Sequence, residues 1–289
     1  MRALVKVNLT LHVGAVRADG YHPISTVCVS PDIGDAVTLA ERATQWTLAV
    51  EGPEAAALAG VPPTDNLAVR AARLLATRTD VPPRRIVLTK TVPAAAGIAG
   101  GTADAAAVLV LLNQEAAHPL PDAALIALSR GLGADGPVCT AARLAGGGLW
   151  LAEGDGARVR RLGLPPPLWC VLANDRVPVP TGRVFAAFDA AGGQGPLAQP
   201  IADLRTPSGL LLLCMAGRND LRAPALGIAP GIGVLEDAMR ALPGCRCARM
   251  SGSGGTMFGL FACETGAHRA ASALRGRGFW SEAGKLTGR

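Results

Sequence analysis

Residues 3 to 13 alternate in character. Leu4, Lys6, Asn8, Thr10 and His12 fall on one side, and Val5, Val7, Leu9, Leu11 and Val13 on the other. A period of two predicts a strand with one apolar face. On it Lys6 and Asn8 project side by side, either as part of a solvated face or as an ammonium and an amide converging on one ligand. Arg17 to His22 reads as a turn hinged on Asp19-Gly20, and further strand-like runs follow at Ala36–Leu39, Trp46–Val50 and Arg85–Lys90. The period lengthens at Asn66–Thr79, where Leu67, Ala71, Leu74 and Leu75 keep helical spacing behind a Thr64-Asp65-Asn66 cap. Pro93 to Asn113 is a glycine-punctuated turn running into an alanine-rich helix that opens near Thr102, and Pro121–Arg130 predicts another helix.

The second half opens with a hairpin around Gly146–Gly156 and a proline junction at Leu164–Pro167. A buried strand at Trp169–Ala173, a helix starting at Thr181 and a mobile Gly, Pro and Gln-rich connection at 191–207 come next. Helices are expected at Asn219–Leu221 and Ile232–Leu242, a second glycine-rich turn at Arg249–Phe258, and a last helix at Gly266–Gly278. A β-rich start followed by mixed strands and helices predicts an α+β chain of two domains, 1–156 and 157–289.

Composition narrows the classes. The chain has 289 residues, 49% hydrophobic and 17% charged, which is globular; with 3% aromatics its core must be built from Ala, Val and Leu. The net charge of +6 invites an acidic partner, yet the 28 basic residues form no run, so no nucleic acid and no membrane partner is expected. Only Lys6, Lys90 and Lys285 are lysine, against many arginines, so a lysine at a defined place suggests use of its compact ammonium. Seven scattered cysteines without a CxxC pair argue against a disulfide framework and against a zinc site, and fit a reducing cytoplasm. No apolar run approaches a membrane span.

The candidate chemistry centres on the glycine turn. Gly97, Gly100 and Gly101 allow close backbone approach ahead of a helix N-terminus, which makes either an anion cradle or a plain strand-to-helix turn. Lys90 lies three residues before Pro93, a cation at the door of that cradle. The stretch is neither a Walker A loop nor a G-x-G-x-x-G dinucleotide turn. The histidines lack zinc spacing and no G-x-S-x-G elbow surrounds Ser251 or Ser253, which removes metalloenzyme and hydrolase readings. Tyr21 and His22 could stack on a planar ring or cover a sheet edge. Asp135, between Gly133 and Gly136 and ahead of Pro137, is a candidate general base or a turn-opening cap.

Taken together, Lys6-Val-Asn8, Arg17-Ala-Asp-Gly-Tyr-His22, Asp65-Asn66-Leu67, the Pro93–Thr102 loop, Leu132–Pro137, Pro180-Thr181 and Arg249–Gly254 resemble the GHMP kinase superfamily. Within it they resemble the branch acting on diphosphocytidyl methylerythritol in the non-mevalonate isoprenoid pathway. The resemblance implies a ribosomal-protein-like N-terminal domain and a ferredoxin-like C-terminal domain with the active site in the cleft. It implies transfer of the γ-phosphoryl group of ATP to the tertiary 2-hydroxyl, with Asp135 as base and Lys6 as the orienting cation. Asn8 would assist the hydroxyl, Tyr21, His22 and Phe185 would hold the cytosine ring, with hydrogen bonds from His22, and Thr181 would contact substrate. Ala96, Gly97, Ile98, Ala99, Gly100, Gly101 and Thr102 would wrap the ATP phosphates. Asn66 and Leu67 would lie near the adenosine, and Lys90, Pro93 and Asp104 complete the nucleotide set. Mg²⁺ would arrive with ATP without a dedicated protein cage. A monomer or weak homodimer is expected. Homoserine-type or mevalonate-type kinases, and a non-catalytic basic nucleotide or nucleic-acid-binding module, are the alternatives. Several departures from the family pattern bear on the site: Ala94, Ala95, Ala96, Ala99 and Thr102 in the loop, Leu4-Val5 before Lys6, and Gly136 and Val138-Cys139 after Asp135. Ala99 would be strained by about 1 kcal/mol or more if its position needs positive φ, and Gly136 with Val138-Cys139 replaces a bulkier apolar run, which would leave Asp135 more hydrated.

Overall fold

The computed structural model describes residues 1–199 and 203–288. In chain order the strands are β1 (Arg2–Leu4), β2 (Val7–Asn8), β3 (His12–Val13), β4 (Ile24–Val29), β5 (Gly34–Arg42), β6 (Thr47–Glu51), β7 (Arg84–Thr89), β8 (Leu149–Gly154), β9 (Arg158–Gly163), β10 (Trp169–Asn174), β11 (Cys247–Met250), β12 (Thr256–Phe261) and β13 (Trp280–Lys285). The helices are α1 (Leu67–Ala76), α2 (Gly100–Glu115), α3 (Asp122–Leu128), α4 (Gly136–Leu144), α5 (Thr181–Ala190), α6 (Pro207–Ala216), α7 (Arg222–Ile228), α8 (Gly231–Arg240) and α9 (Glu264–Arg275). They fall into two compact units that interleave along the chain. One unit holds Met1–Val5, Gly34–Ala94 and Ala99–Gly146, the other Lys6–Ile33, Ala95–Ile98 and Gly147–Arg289. Spatial contact thus groups residues 6–33 with the C-terminal half, whereas the sequence reading divides the chain near residue 156.

The first unit is one mixed sheet, ordered β1-β5-β7-β6, with β6 and β7 parallel, packed against α1 and α2. Helix α1 forms as its sequence dictates: the Asn66 side chain accepts the Ala68 N–H at 2.9 Å, and Ala68, Val69, Ala71, Ala72 and Leu75 make one buried stripe. Helix α2 is buried almost all round, from Ala103 through Val110, and its alanines admit α1, α4 and β1 at close range. Val37, Ile86, Leu88, Leu109, Leu112 and Leu125 fill the space between.

The second unit has two sheets. One is a five-stranded antiparallel array in which β4 pairs with β2, β3 and β8, and β8 with β9. The other is antiparallel in the order β11-β12-β10-β13, and α8 and α9 close its core around Leu11, Val171, Leu235, Met257, Phe261 and Leu274.

Several expectations are revised. The alternating stretch 3–13 is not one half-solvated strand, because β1 pairs with β5 in one sheet and β2 with β4 in another. Its polar side is buried as deeply as its apolar side: Lys6 is 5%, Asn8 3% and His12 1% exposed. Helix α6, with Thr206 capping the Gly209 N–H at 3.1 Å and Pro207 in its first turn, went unpredicted because Leu210–Leu213 shows no polar period. Helix α4 and strands β11 and β13 were also unanticipated, and α7 begins beyond Asn219, which instead bridges to Leu11. Residues 200–202 of the expected mobile connection lie outside the described residues.

Candidate active site

In the second unit the Lys6 ammonium donates to Asn8 Oδ1 at 2.8 Å, so the two side chains predicted to project together are bonded to each other. Asn8 is fixed on its other sides as well. Its Nδ2 donates to Thr26 Oγ1 at 2.7 Å, and its backbone N–H to Ser251 Oγ at 3.1 Å. Ser251 Oγ in turn donates to the Gly97 carbonyl at 3.1 Å, and the Lys6 N–H reaches the Ile98 carbonyl at 3.1 Å. The two glycine-rich segments noted separately in the sequence therefore interlock. A Cβ at Gly97 would lie 2.5 Å from the Gly254 carbonyl oxygen, and one at Gly252 2.6 Å from the Gly97 carbonyl oxygen, so neither site admits a side chain.

The turn itself uses left-handed residues. Ala95 has φ 52°, Gly97 φ 73° and Ala99 φ 53° with ψ 33°, so Ala99 does occupy the positive-φ position. Ala99 caps α2, and its carbonyl accepts the Ala103 N–H at 2.8 Å. Ala96 and Ile98 are buried, while Gly97 and Ala99 are half-buried.

Also in this unit, His22 stacks against Phe185 with centroids 5.2 Å apart and meets Phe188 edge-on at 5.8 Å. Its Nδ1 lies 2.9 Å from the Gly14 carbonyl and its Nε2 3.1 Å from Asp189 Oδ1, so both ring nitrogens already face partners. Tyr21 stands 68% exposed beside the Asp19-Gly20 turn, which is closed by Asp19 accepting the Tyr21 N–H at 3.1 Å. Tyr21 does not cover a sheet edge. Thr181 opens α5 and its hydroxyl meets Ser253 Oγ at 2.8 Å.

In the first unit Asp135 is half-buried at the N-terminal boundary of α4, and its side chain makes no cap hydrogen bond. Gly136 does not loosen this corner: a Cβ there would collide with the Ser129 carbonyl, so a glycine is required for the close approach. Asn66 caps α1, Leu67 begins it, and Gly101 and Thr102 form the first turn of α2, with Leu67 Cδ1 3.6 Å from where a Gly101 Cβ would be. Pro93 is buried. Lys90 is not an open cation. Its ammonium pairs with Asp35 and, at 2.9 Å, with Asp104, all three side chains being at most 3% exposed. Burial opposes charge on Lys90, but the carboxylates of Asp104 and Asp35 outweigh it and raise its pKa. Burial pushes Asp104 up to about 7; Lys90 counters this in part and the Asp35 charge adds to it. Asp35 Oδ1 also accepts the N–H groups of Thr91 at 2.6 Å and Val92 at 3.0 Å, which fixes the chain entering the glycine turn.

Asp35, Ser251, Phe188 and Asp189 are the residues the sequence did not single out. Ser251 lies in the Arg249–Gly254 motif but its sequence context gives it no role, and the other three carry no local signal.

Comparison with known proteins adds the following. Residues 66–143 match the family model described as GHMP kinases N terminal domain. A 4-diphosphocytidyl-2-C-methyl-D-erythritol kinase from Cereibacter sphaeroides is 43% identical over 291 residues, covering 99% of this chain and 98% of its own. Another from Methylobacterium radiotolerans is 46% identical over 289 residues, 96% of each chain. A crystal structure of 4-(cytidine 5'-diphospho)-2C-methyl-D-erythritol kinase superposes with TM-score 0.78 at 33% identity, covering 100% of this chain and 99% of the other. The mevalonate kinase of L. major in complex with R-mevalonate shares the fold, with TM-score 0.68 at 14% identity over 99% of this chain and 95% of that one.

Proposed function

We propose a reaction on one premise: the chain belongs to the 4-diphosphocytidyl-2-C-methyl-D-erythritol kinase family of GHMP kinases. It transfers the γ-phosphoryl group of ATP to the 2-hydroxyl of that diphosphocytidyl alcohol, a step of the non-mevalonate route to isoprenoids. The observation that carries this reading is the turn 95–99, whose left-handed residues lead straight into the 16-residue helix α2. The unpaired N–H groups and positive dipole end of such a helix suit the nucleotide phosphates.

Phosphoryl transfer asks mainly for positioning and for control of one proton. In our proposal Asp135 accepts the proton of the 2-hydroxyl, and Lys6, held by Asn8, orients the reacting oxygens. Tyr21 and Phe185 pack on the cytosine with the His22 ring as a wall, since the ring nitrogens of His22 are already engaged by Gly14 and Asp189. Thr181 contacts the substrate, and Asn66 and Leu67 the adenosine. Lys90 and Asp104 act from behind the loop, holding the entry to α2. Mg²⁺ would be held mainly by the phosphate oxygens, with the Thr102 hydroxyl in the first turn of α2 as the protein group offered to it. The chemistry such an ion would supply is neutralisation of charge on the transferring group. No helix among the described residues is long and apolar enough to cross a membrane, and seven scattered cysteines outside any disulfide suit a reducing cytoplasm. Arginines 17, 84, 205, 218, 222 and 240 pair with carboxylates of the same chain, which weakens the case for a nucleic-acid face.

The test is an acceptor profile. Purified protein with ATP and Mg²⁺ should phosphorylate the diphosphocytidyl alcohol and leave homoserine and mevalonate untouched; preference for either of the latter overturns the assignment. Asp135→Asn should lower kcat by about 10²- to 10⁴-fold while substrate affinities stay within about tenfold.

A further inference from the structure

Four of the seven cysteines gather in one region of the second unit. Cys170 on β10 and Cys247 on β11 both lie opposite Leu260 of β12, so they share one face of that sheet. Cys245 Sγ donates to the Cys247 carbonyl at 3.5 Å, and Arg249, two residues on from Cys247 and on the same face of β11, donates to the Cys214 carbonyl of α6. Cys214 and Cys247 line an open cavity of about 630 Å³ together with Arg222, Arg240 and Arg249. Cys214 is buried and Cys247 half-buried. Arg249 is held in place by the carbonyls of Cys214 and, at 2.8 Å, Gly217, while Arg240 pairs with Glu236.

We infer that Cys214 and Cys247 form a dithiol that reacts with hydroperoxides, Cys247 being the thiol oxidised and Cys214 the one that resolves it. The Cys214 S–H donated to Cys247 favours the Cys247 thiolate, burial opposes it, and Arg249 and Arg240 add to the favourable side, so its pKa is lowered. The same contact, with burial, raises Cys214 and keeps it protonated. The Cys247 thiolate attacks the terminal peroxide oxygen: an S–O bond forms, the O–O bond breaks, and the alkoxide leaves as alcohol after taking a proton from water. The Cys214 sulfur then displaces hydroxide from the Cys247 sulfenic acid, its own proton completing a water molecule. In sum two thiols and one hydroperoxide give a disulfide, an alcohol and water. Two thiols lining one cavity, in segments that Arg249 ties together, are placed for side-chain rotation to join them. The bond would tie α6 to β11, the strand that leads into Ser251.

Reduced protein treated with a slight excess of hydrogen peroxide at neutral pH and then alkylated is read by peptide mass mapping. A Cys214–Cys247 disulfide that dithiothreitol reverses is expected, and Cys214→Ser should leave a Cys247 sulfenic acid that dimedone labels. On untreated wild-type protein iodoacetamide should label Cys247 about tenfold faster than the exposed Cys263. Peroxide that consumes Cys263 while Cys214 and Cys247 stay reduced, or iodoacetamide that labels Cys263 first, would overturn the inference.

Discussion

Ala95 and Ala99 sit at φ 52° and 53°, where the Cβ of an L-residue crowds the following carbonyl oxygen. Each placement costs about 1 to 2 kcal/mol relative to glycine, whereas glycine gives back about 0.4 to 1 kcal/mol through the freer unfolded chain. The balance favours glycine at Ala99, so Ala99→Gly should leave stability unchanged or raise it by up to about 1 kcal/mol, a few degrees in Tm at most. Ala106 is the control, a buried interior residue of α2 with ordinary helical geometry. Ala106→Gly should lose about 1 kcal/mol or more. Thermal melts of the two variants decide the matter, and equal losses from both would show that Ala99 carries no strain.

At the scale of the element, α2 is governed by a cluster that its own sequence does not announce. Asp104 is buried beside Lys90 and Asp35, and its Oδ1 has no hydrogen-bond partner. Its carboxyl titrates near 7 in the folded chain against 3.8 ordinarily, so the native state binds that proton more tightly than the unfolded state. The resulting stabilisation is complete below about pH 4 and is lost as pH rises through about 7, on the order of 1 kcal/mol per pH unit. Asp104→Asn keeps the neutral shape and should flatten that part of the profile. Denaturant midpoints at pH 5 and pH 8 should differ less for the variant than for wild type; an unchanged difference removes Asp104 as the cause. This cluster also marks the limit of what sequence could supply. Helix α1 was readable because cap, period and burial agree, and Lys6 and Asn8 were readable because strand spacing puts them together. Asp35, 55 residues from Lys90, and Ser251, 243 residues from Asn8, act through contacts created only by the folded chain. Helix α6 was missed for a related reason, since an element with little polar face leaves no period to read, whereas α2 was placed by the glycine turn ahead of it.

The whole molecule makes the sequence partition itself testable. A fragment starting at residue 157 keeps α5 to α9 and the sheet β11-β12-β10-β13, but it loses much that the second unit uses. Strands β2, β3, β4 and β8 would be gone, leaving β9 as an unpaired edge. Leu11 and Val13, buried in the same core as Val171 and Leu235, would be absent, each removing about 1.5 to 3 kcal/mol of apolar burial. Asp220 would lose two contacts, since its Oδ2 accepts the Val13 N–H at 2.8 Å and its own N–H donates to the Leu11 carbonyl at 2.9 Å. Native stability is about 5 to 15 kcal/mol, so these losses together are comparable to the whole of it. Expressed alone, 157–289 should show no cooperative thermal transition and little amide protection in β10 and β12. Adding 1–156 in trans should restore both, because it carries β2, β3, β4 and β8. A sharp melt of 157–289 by itself would show instead that the C-terminal half is autonomous, and that residues 6–33 join it without being needed to fold it.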